Sequence, residues 1–336
     1  MPATMKSIAR DLGLSVVTVS KVLHNHTDIS AATRKRVLRR MKEVNYQPNL
    51  AARALSTGKT SLVGLIVPDL VHPFFAQVAK GISAQLSAHG YSLLLASSEE
   101  QPQLERAQID QMIARRVDAV ILASTESGLY SLQKLQENGV PFVLLDRKIP
   151  GFDANFVGID DVLAGTMATE HLIAIGCKVI AHLGGSNVST AREREEGYLA
   201  TLAKHGLSLP RDYVVKRGHG DDDGTATGYA GMQKLLRLHR RPDGVFCCND
   251  PIATGAMRAI LGAGLQIPKD IAIIGCGNVH YVDLLRVPLS SIDQDSAGLG
   301  EGAAKLALAI VKRKDGTAPK SVLLSPRLVV RSSTQR

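Results

Sequence analysis

The chain has 336 residues, 45% of them apolar and 21% charged, with no tryptophan and a formal net charge of +9. That length allows two or three compact units, and no apolar run nears the roughly 20 residues needed to span a bilayer. MPATMKSIARDLG lacks the long apolar core and small-residue cleavage site of a secretory signal, so a cytoplasmic protein is expected.

The charge is confined to one end. Residues 1–60 hold eleven Lys/Arg against three acids, or +8 of the +9, whereas the other 276 carry 29 basic and 28 acidic side chains. This is the footprint of a polyanion-binding module on an ordinary globular body, and it makes DNA the expected partner. Four cysteines, at 177, 247, 248 and 276, are too few and too clustered for a disulfide framework. On a strand Cys247 and Cys248 would point to opposite faces, which argues against a shared metal. Buried free thiols are expected, with no metal and no cofactor.

Met5, Ile8, Ala9 and Leu12 recur at helical spacing until Gly13-Leu14-Ser15 breaks the pattern. Ser15 is the expected N-cap of a second helix, Val16 to Leu23, with Val19, Val22 and Leu23 inward. Two short helices joined by such a turn form a helix-turn-helix, whose second helix enters the major groove at its start. Val16, Val17, Ser20 and Lys21 then face base edges and phosphates: Lys21 suits guanine, the valines only apolar contacts such as thymine methyls. Ser30 caps a third helix with an expected buried stripe of Val37, Leu38, Met41 and Val44, leaving its basic residues for phosphates. Pro48, Asn49 and the Ala-rich run to Leu55 then predict a short helix that orders only in a complex.

The runs T-M-K-S-I-A-R-D-L-G-L-S-V-V-T-V-S-K-V-L-H-N, S-A-A-T-R-K-R-V and N-Y-Q-P-N-L-A-A-R-A-L resemble the headpiece and hinge of the LacI/GalR bacterial repressors. The resemblance implies DNA contacts for Lys6, Ser15, Val16, Val17, Thr18, Ser20, Lys21, His24, Asn25, Thr33, Arg34, Asn49, Ala52, Arg53 and Leu55. It also implies that Leu55, paired with its dimer mate, wedges into the minor groove at the operator centre and kinks the duplex.

From Ser61 onward apolar strands alternate with helices in a βαβ rhythm. Expected strands are 62–67, 92–96, 119–122, 142–145, 156–159, 179–183, 213–216, 244–247 and 271–275; expected helices include 74–89, 104–115, 162–175, 192–205, 224–238 and 252–263. The array is too long for one sheet. The resemblance implies two Rossmann-like lobes of periplasmic-binding-protein type, with the chain crossing between them near 159–161, 290–293 and 320–322.

The expected architecture is therefore α/β with an N-terminal three-helix helix-turn-helix headpiece. Residues 1–48 form the headpiece, 49–60 the hinge helix and linker, and 61–336 the effector-binding and dimerisation domain. Lobe N takes about 61–159 and 292–320; lobe C takes about 160–291 and 321–336.

A ligand is expected in the cleft beyond the carboxyl ends of the strands. Asp69, His72, Phe74, Phe75, Asp146, Arg147, Arg194, Asn249, Asn278 and Gln294 fall there and are the candidate effector contacts. An aromatic face with several polar groups suits a small sugar-like molecule. Sugar- and purine-binding relatives usually end one strand G-[YF]-D-[DN], but here Gly275-Cys276-Gly277-Asn278 puts glycine in the Asp position. Loss of that carboxylate permits a smaller or anionic ligand, such as a sugar acid or phosphate. There is no Walker phosphate loop and no nucleophile elbow. Asp221-Asp222-Asp223 lacks calcium-loop spacing and reads as a solvated acidic turn.

The reading is a homodimeric, ligand-responsive repressor of carbohydrate or sugar-acid genes that binds a pseudo-palindromic operator, and not an enzyme. A solute-binding protein would have no use for the basic headpiece. A sugar-modifying enzyme would need a catalytic set that the sequence does not offer.

Overall fold

The computed structural model describes residues 3–23, 26–47, 54, 58–125, 129–208, 210–216, 224–312 and 318–336. The chain divides into two compact units, Met1–Thr60 and Ser61–Arg336.

In the first unit α1 (Met5–Leu12) starts at a capping box, with Thr4 and Ser7 satisfying each other's backbone N–H, and stops at Gly13, whose φ of 65° is left-handed. In α2 (Val16–Leu23) Val19 and Val22 point inward, and in α3 (Ala31–Glu43) Val37 and Met41 do; with Ile8 and Ala9 they form one small core. Leu38 does not join the expected stripe. It is 49% exposed, because three helices this short leave the far side of α3 with nothing to pack on. The hinge segment, including Leu55, lies outside the described residues apart from Ala54, whose carbonyl accepts from Gly58 N–H at 2.8 Å.

The second unit holds two six-stranded sheets. The lobe N sheet consists of β1 (Leu62–Val67), β2 (Ser92–Ser97), β3 (Ala119–Leu122), β4 (Phe142–Leu145), β5 (Asn155–Ile159) and β11 (Ser321–Leu324), in the order β11-β5-β4-β3-β1-β2. The lobe C sheet consists of β6 (Ile180–Leu183), β7 (Val214–Val215), β8 (Gly244–Cys247), β9 (Ala272–Gly277), β10 (Ser290–Asp293) and β12 (Arg327–Val329), in the order β12-β10-β9-β8-β6-β7. All pairs are parallel except β10 with β12. The buried strands read as nearly continuous Val/Ile/Leu runs, as sheets covered on both faces require.

In lobe N, α4 (Pro73–Ser87) and α11 (Ser296–Lys312) pack together, as do α5 (Pro102–Ala114) and α6 (Tyr130–Glu137). In lobe C, α7 (Asp161–Ala174) pairs with α8 (Ser189–Lys204), and α9 (Thr225–Leu236) with α10 (Asp250–Gly262). The last two pairs meet through reciprocal glycines. A Cβ on Gly165 would lie 2.2 Å from the Arg194 carbonyl oxygen, and one on Gly197 2.1 Å from that of Val162; Gly228 and Gly255 abut Ile252 and Thr225 in the same way.

Two of the three expected crossings move. The first lies at Asp160, between β5 and α7. The second is not at 290–293: β10 is a lobe C strand, hydrogen-bonded to β9, so the chain crosses at Gln294–Asp295. The third is not at 320–322: β11 extends the lobe N sheet beside β5, and the crossing falls at Ser325–Pro326. A strand belongs to the sheet whose edge satisfies its backbone: the edge of β9 captures β10, and that of β5 captures β11. Lobe N therefore ends with 296–324 instead of 292–320, and lobe C takes 161–293 and 327–336.

Candidate functional site

Each unit carries one candidate site. On the headpiece, Val16 and Val17 open α2 with 40% and 64% of their surface exposed, on the helix whose inner face holds Val19 and Val22. Apolar side chains left in water at the start of a recognition helix are what contact with thymine methyls requires. Lys6 is exposed on α1, and Ser20 is half-buried.

Other expected DNA contacts already have local duties. Ser15 Oγ caps α2 by accepting from Thr18 N–H at 3.0 Å and shares a hydrogen bond with the Thr18 hydroxyl. Thr33 is bound in the same way to its cap, Ser30. Lys21 pairs with Asp28, whose carboxyl it holds below the usual carboxylate range. The Arg34 guanidinium donates to the carbonyls of Val22 (3.3 Å) and His26 (2.5 Å), stitching α3 to the end of α2. His24, Asn25, Asn49, Ala52, Arg53 and Leu55 lie outside the described residues.

In the second unit the strand ends and crossings enclose a cavity of about 280 Å³ between the lobes. Asp69, His72, Phe74, Phe75, Asp146 and Arg147 line it from lobe N, Arg194 and Asn249 from lobe C, and Gln294 from the second crossing. The β1–α4 loop delivers Asp69 and His72, and the first turn of α4 delivers Phe74 and Phe75. Pro73 opens α4 at a position where its missing N–H costs nothing, which leaves His72 and the two phenylalanines at the mouth. The three rings contact edge-on, His72 to Phe75 at 5.7 Å and Phe74 to Phe75 at 5.0 Å.

Asn278 is not in the cavity. Its Oδ1 accepts from Arg331 Nη2 at 2.7 Å and its N–H donates to Ser291 Oγ, on a residue with φ of 48°. An arginine 53 residues away in sequence claims that side chain, so Asn278 is removed from the candidate contacts.

Glu99, Glu100, Cys248 and Cys276, not among the expected contacts, also line the cavity. Glu99-Glu100 follow β2 and could have been found by the same strand-end rule. The missing carboxylate at 277 also has a structural counterpart. Asp250, wholly buried, accepts from Ser291 Oγ at 2.7 Å and Val279 N–H at 2.9 Å. Its carboxylate fills the space that side chains at 275 and 277 would need, 2.2 Å and 3.2 Å from the Cβ positions. Burial pushes its carboxyl up to about 6.

Both cavity arginines are already neutralised. Arg147, 6% exposed, donates to both Glu100 oxygens at 2.7 and 3.0 Å and to the Ser124 carbonyl at 3.1 Å. Arg194, 5% exposed, donates from Nε to Asp161 at 2.7 Å and from Nη1 to the Cys248 carbonyl at 2.7 Å. Burial pushes the Asp161 carboxyl up to about 7, against the pull of Arg194. Asp69, Glu99 and Asp146 add further acids to the lining, so among the described residues an anionic ligand meets no uncommitted cation there. Burial also pushes the Cys248 and Cys276 thiols up, away from reactive thiolates.

Among the described residues, no cluster of His, Cys, Asp and Glu could hold a metal, and no helix is long and apolar enough to cross a membrane. All four cysteines are buried and free.

Comparison with known proteins agrees with both units. Residues 4–49 match the family described as bacterial regulatory proteins, lacI family, and residues 60–331 match the periplasmic binding proteins and sugar binding domain of LacI family. The HTH-type transcriptional repressor PurR of Pasteurella multocida is 32% identical, over 99% of both chains. Among solved structures, the lac repressor dimer bound to operator and the anti-inducer ONPF superposes with a TM-score of 0.87 at 25% identity over 99% of both chains. A complex of the regulator CelR with cellobiose gives 0.73 at 27% identity, over 98% of this chain and 99% of the other. The chain belongs to the LacI family: it is a helix-turn-helix, DNA-binding transcriptional repressor with a periplasmic-binding-protein-like domain, and not an enzyme.

Proposed function

We propose that this repressor acts in the cytoplasm as a homodimer on a pseudo-palindromic operator, and that an uncharged, hydroxyl-rich effector of monosaccharide size controls it. The observation that carries the ligand class is the charge state of the cleft. Arg147 is paired with Glu100 and Arg194 with Asp161, while further carboxylates line the wall. Hydroxyl groups both donate and accept, so they suit a wall of acids and amides. Among the described residues, the free carboxylate or phosphate that the glycine at 277 left open has no unpaired cation to meet. A cavity of about 280 Å³ lies at the small end of ligand pockets, roughly 300–1,000 Å³, which suits one sugar ring better than two.

Coupling to DNA runs through the hinge. Effector binding changes how the lobes close, and that changes how readily residues 49–60 order in the minor groove, with Leu55 as the wedge. Such coupling is typically ~1–3 kcal/mol and reciprocal. The operator-bound lac repressor relative supports the DNA half of this reading, and the cellobiose complex the effector half.

The test is a thermal-shift screen of the full chain against aldoses and polyols, their acids and phosphates, and nucleobases. A saturating ligand at 100 times Kd adds about 2.7 kcal/mol, several degrees in Tm. The expected hit is uncharged and also changes affinity for a bound promoter fragment in fluorescence anisotropy. A response confined to phosphates, carboxylates or nucleobases would refute the assignment.

A further inference from the structure

The cleft contains a hydrogen-bond relay that fixes which way its histidine faces. Asn249 caps α10, its Oδ1 accepting from Ile252 N–H at 2.9 Å. Only the carbonyl end of an amide can accept, so this bond sets the orientation of the side chain. Asn249 Nδ2 is thereby turned across the cleft to His72, 3.4 Å from Nε2, at the long end of hydrogen-bond range. An amide NH₂ can only donate. Nε2 of His72 must therefore be the bare nitrogen, and the proton of the neutral ring sits on Nδ1.

Among the described residues that buried Nδ1 has no hydrogen-bond partner, and neither has Nε2 of Gln294 on the same cavity wall. Both are donors with nothing to donate to. The ring is neutral at pH 7: burial pushes it down to about 4, helped by Arg147 and Arg194 and opposed by Asp69 and Glu100.

We infer that Asn249 is a positioning residue that holds His72 as the Nδ1–H tautomer across the cleft, so that lobe N offers the effector a hydrogen-bond donor. This rests on the cleft being the effector site and narrows what it selects. Opposite His72 and Gln294 the ligand carries a lone-pair oxygen (hydroxyl, ring or carbonyl), and a group that only donates, such as an ammonium, is rejected there.

The test needs no effector. Long-range ¹H–¹⁵N imidazole spectra of the full chain, labelled on histidine, are recorded at pH 7.5, with His72 assigned by the signals lost in His72→Asn. The expected result is a protonated Nδ1 and a bare Nε2. In Asn249→Asp the carboxylate still caps α10 but faces His72 as an acceptor, so the proton moves to Nε2 and the two ¹⁵N resonances exchange places. A purely structural cap would leave the tautomer unmoved by that change. Wild-type His72 protonated on Nε2, or an unaltered pattern in Asn249→Asp, overturns the proposal. The wild-type spectrum alone decides it if the variant does not fold. A sugar screen without hits would refute the ligand class and leave this result standing.

Discussion

Gly165→Ala is the sharpest mechanical test of how the cleft is built. The new methyl would lie 2.2 Å from the Arg194 carbonyl oxygen, 2.9 Å from its carbon and 3.0 Å from its Cα, all backbone atoms that cannot rotate away. Restoring a ~3.3 Å carbon–oxygen contact forces α7 and α8 apart by about 1 Å. Overpacking of this kind costs ~1–3 kcal/mol, only partly offset by the ~1 kcal/mol that alanine gains over glycine in a helix. The strain lands on Arg194, whose 2.7 Å bonds to Asp161 and to the Cys248 carbonyl would lengthen beyond hydrogen-bond range. Gly262→Ala in α10 is the control, since nothing lies within 4 Å of its Cβ position. It should raise stability by ~0.4–1 kcal/mol through the unfolded chain. Urea titration of the full chain, with the body's transition separated from the headpiece's, measures both, and effector-induced Tm shifts report the cleft. A Gly165→Ala protein as stable and responsive as Gly262→Ala would refute the close-approach argument.

Arg194→Ala should abolish the effector response and destabilise the body by up to ~3–5 kcal/mol, because Asp161 loses its partner and must take up a proton to stay buried. Adding Asp161→Asn should recover part of the stability and none of the response in the same urea and thermal-shift assays. His182, buried against Tyr198 and Phe246 with its ring pushed down to about 4, stays neutral in the folded body while the unfolded chain takes up a proton below about 6.5. Its contribution is therefore complete above pH 6.5 and lost as pH falls toward 4, by up to ~3 kcal/mol. Urea midpoints measured against pH should fall less steeply in His182→Phe than in wild type, and parallel curves would sink this reading. DNA affinity should drop steeply between 50 and 200 mM salt, since the headpiece charge is spent on phosphates; a flat profile in anisotropy would count against it. Leu55→Ala should weaken operator binding far more than binding to random duplex, and equal losses would remove the wedge.

Much of the fold was legible because strands buried on both faces leave unbroken apolar runs, as in Leu62–Val67 and Ala119–Leu122. The strand ends, together with the two lobes that the resemblance implies, then pointed to the cleft. What escaped was decided by partners distant in sequence. Ser290–Asp293 has one large apolar residue and becomes a strand only because the edge of β9 accepts it. Asn278 looked like any other strand-end polar residue, but Arg331 holds it. The local role of Arg34 was equally hidden: its guanidinium donates to the carbonyls of Val22 and His26, twelve and eight residues away. The pairing of Arg147 with Glu100, which decides the charge the ligand meets, joins residues 47 apart and leaves no local pattern.

Asp250 constrains what substitutions this chain can accept. Placing at 277 the carboxylate that the resemblance leads one to expect there looks like a single step, but Gly277 sits at φ of 130° with the Asp250 oxygen 3.2 Å from where its Cβ would go. An aspartate there would meet both a backbone angle that side chains rarely adopt and a like charge already in place. The route to a relative's effector is therefore epistatic: position 250 has to change before position 277 can. A directed-evolution campaign that samples single substitutions should not find that route, while one that varies the two positions together should.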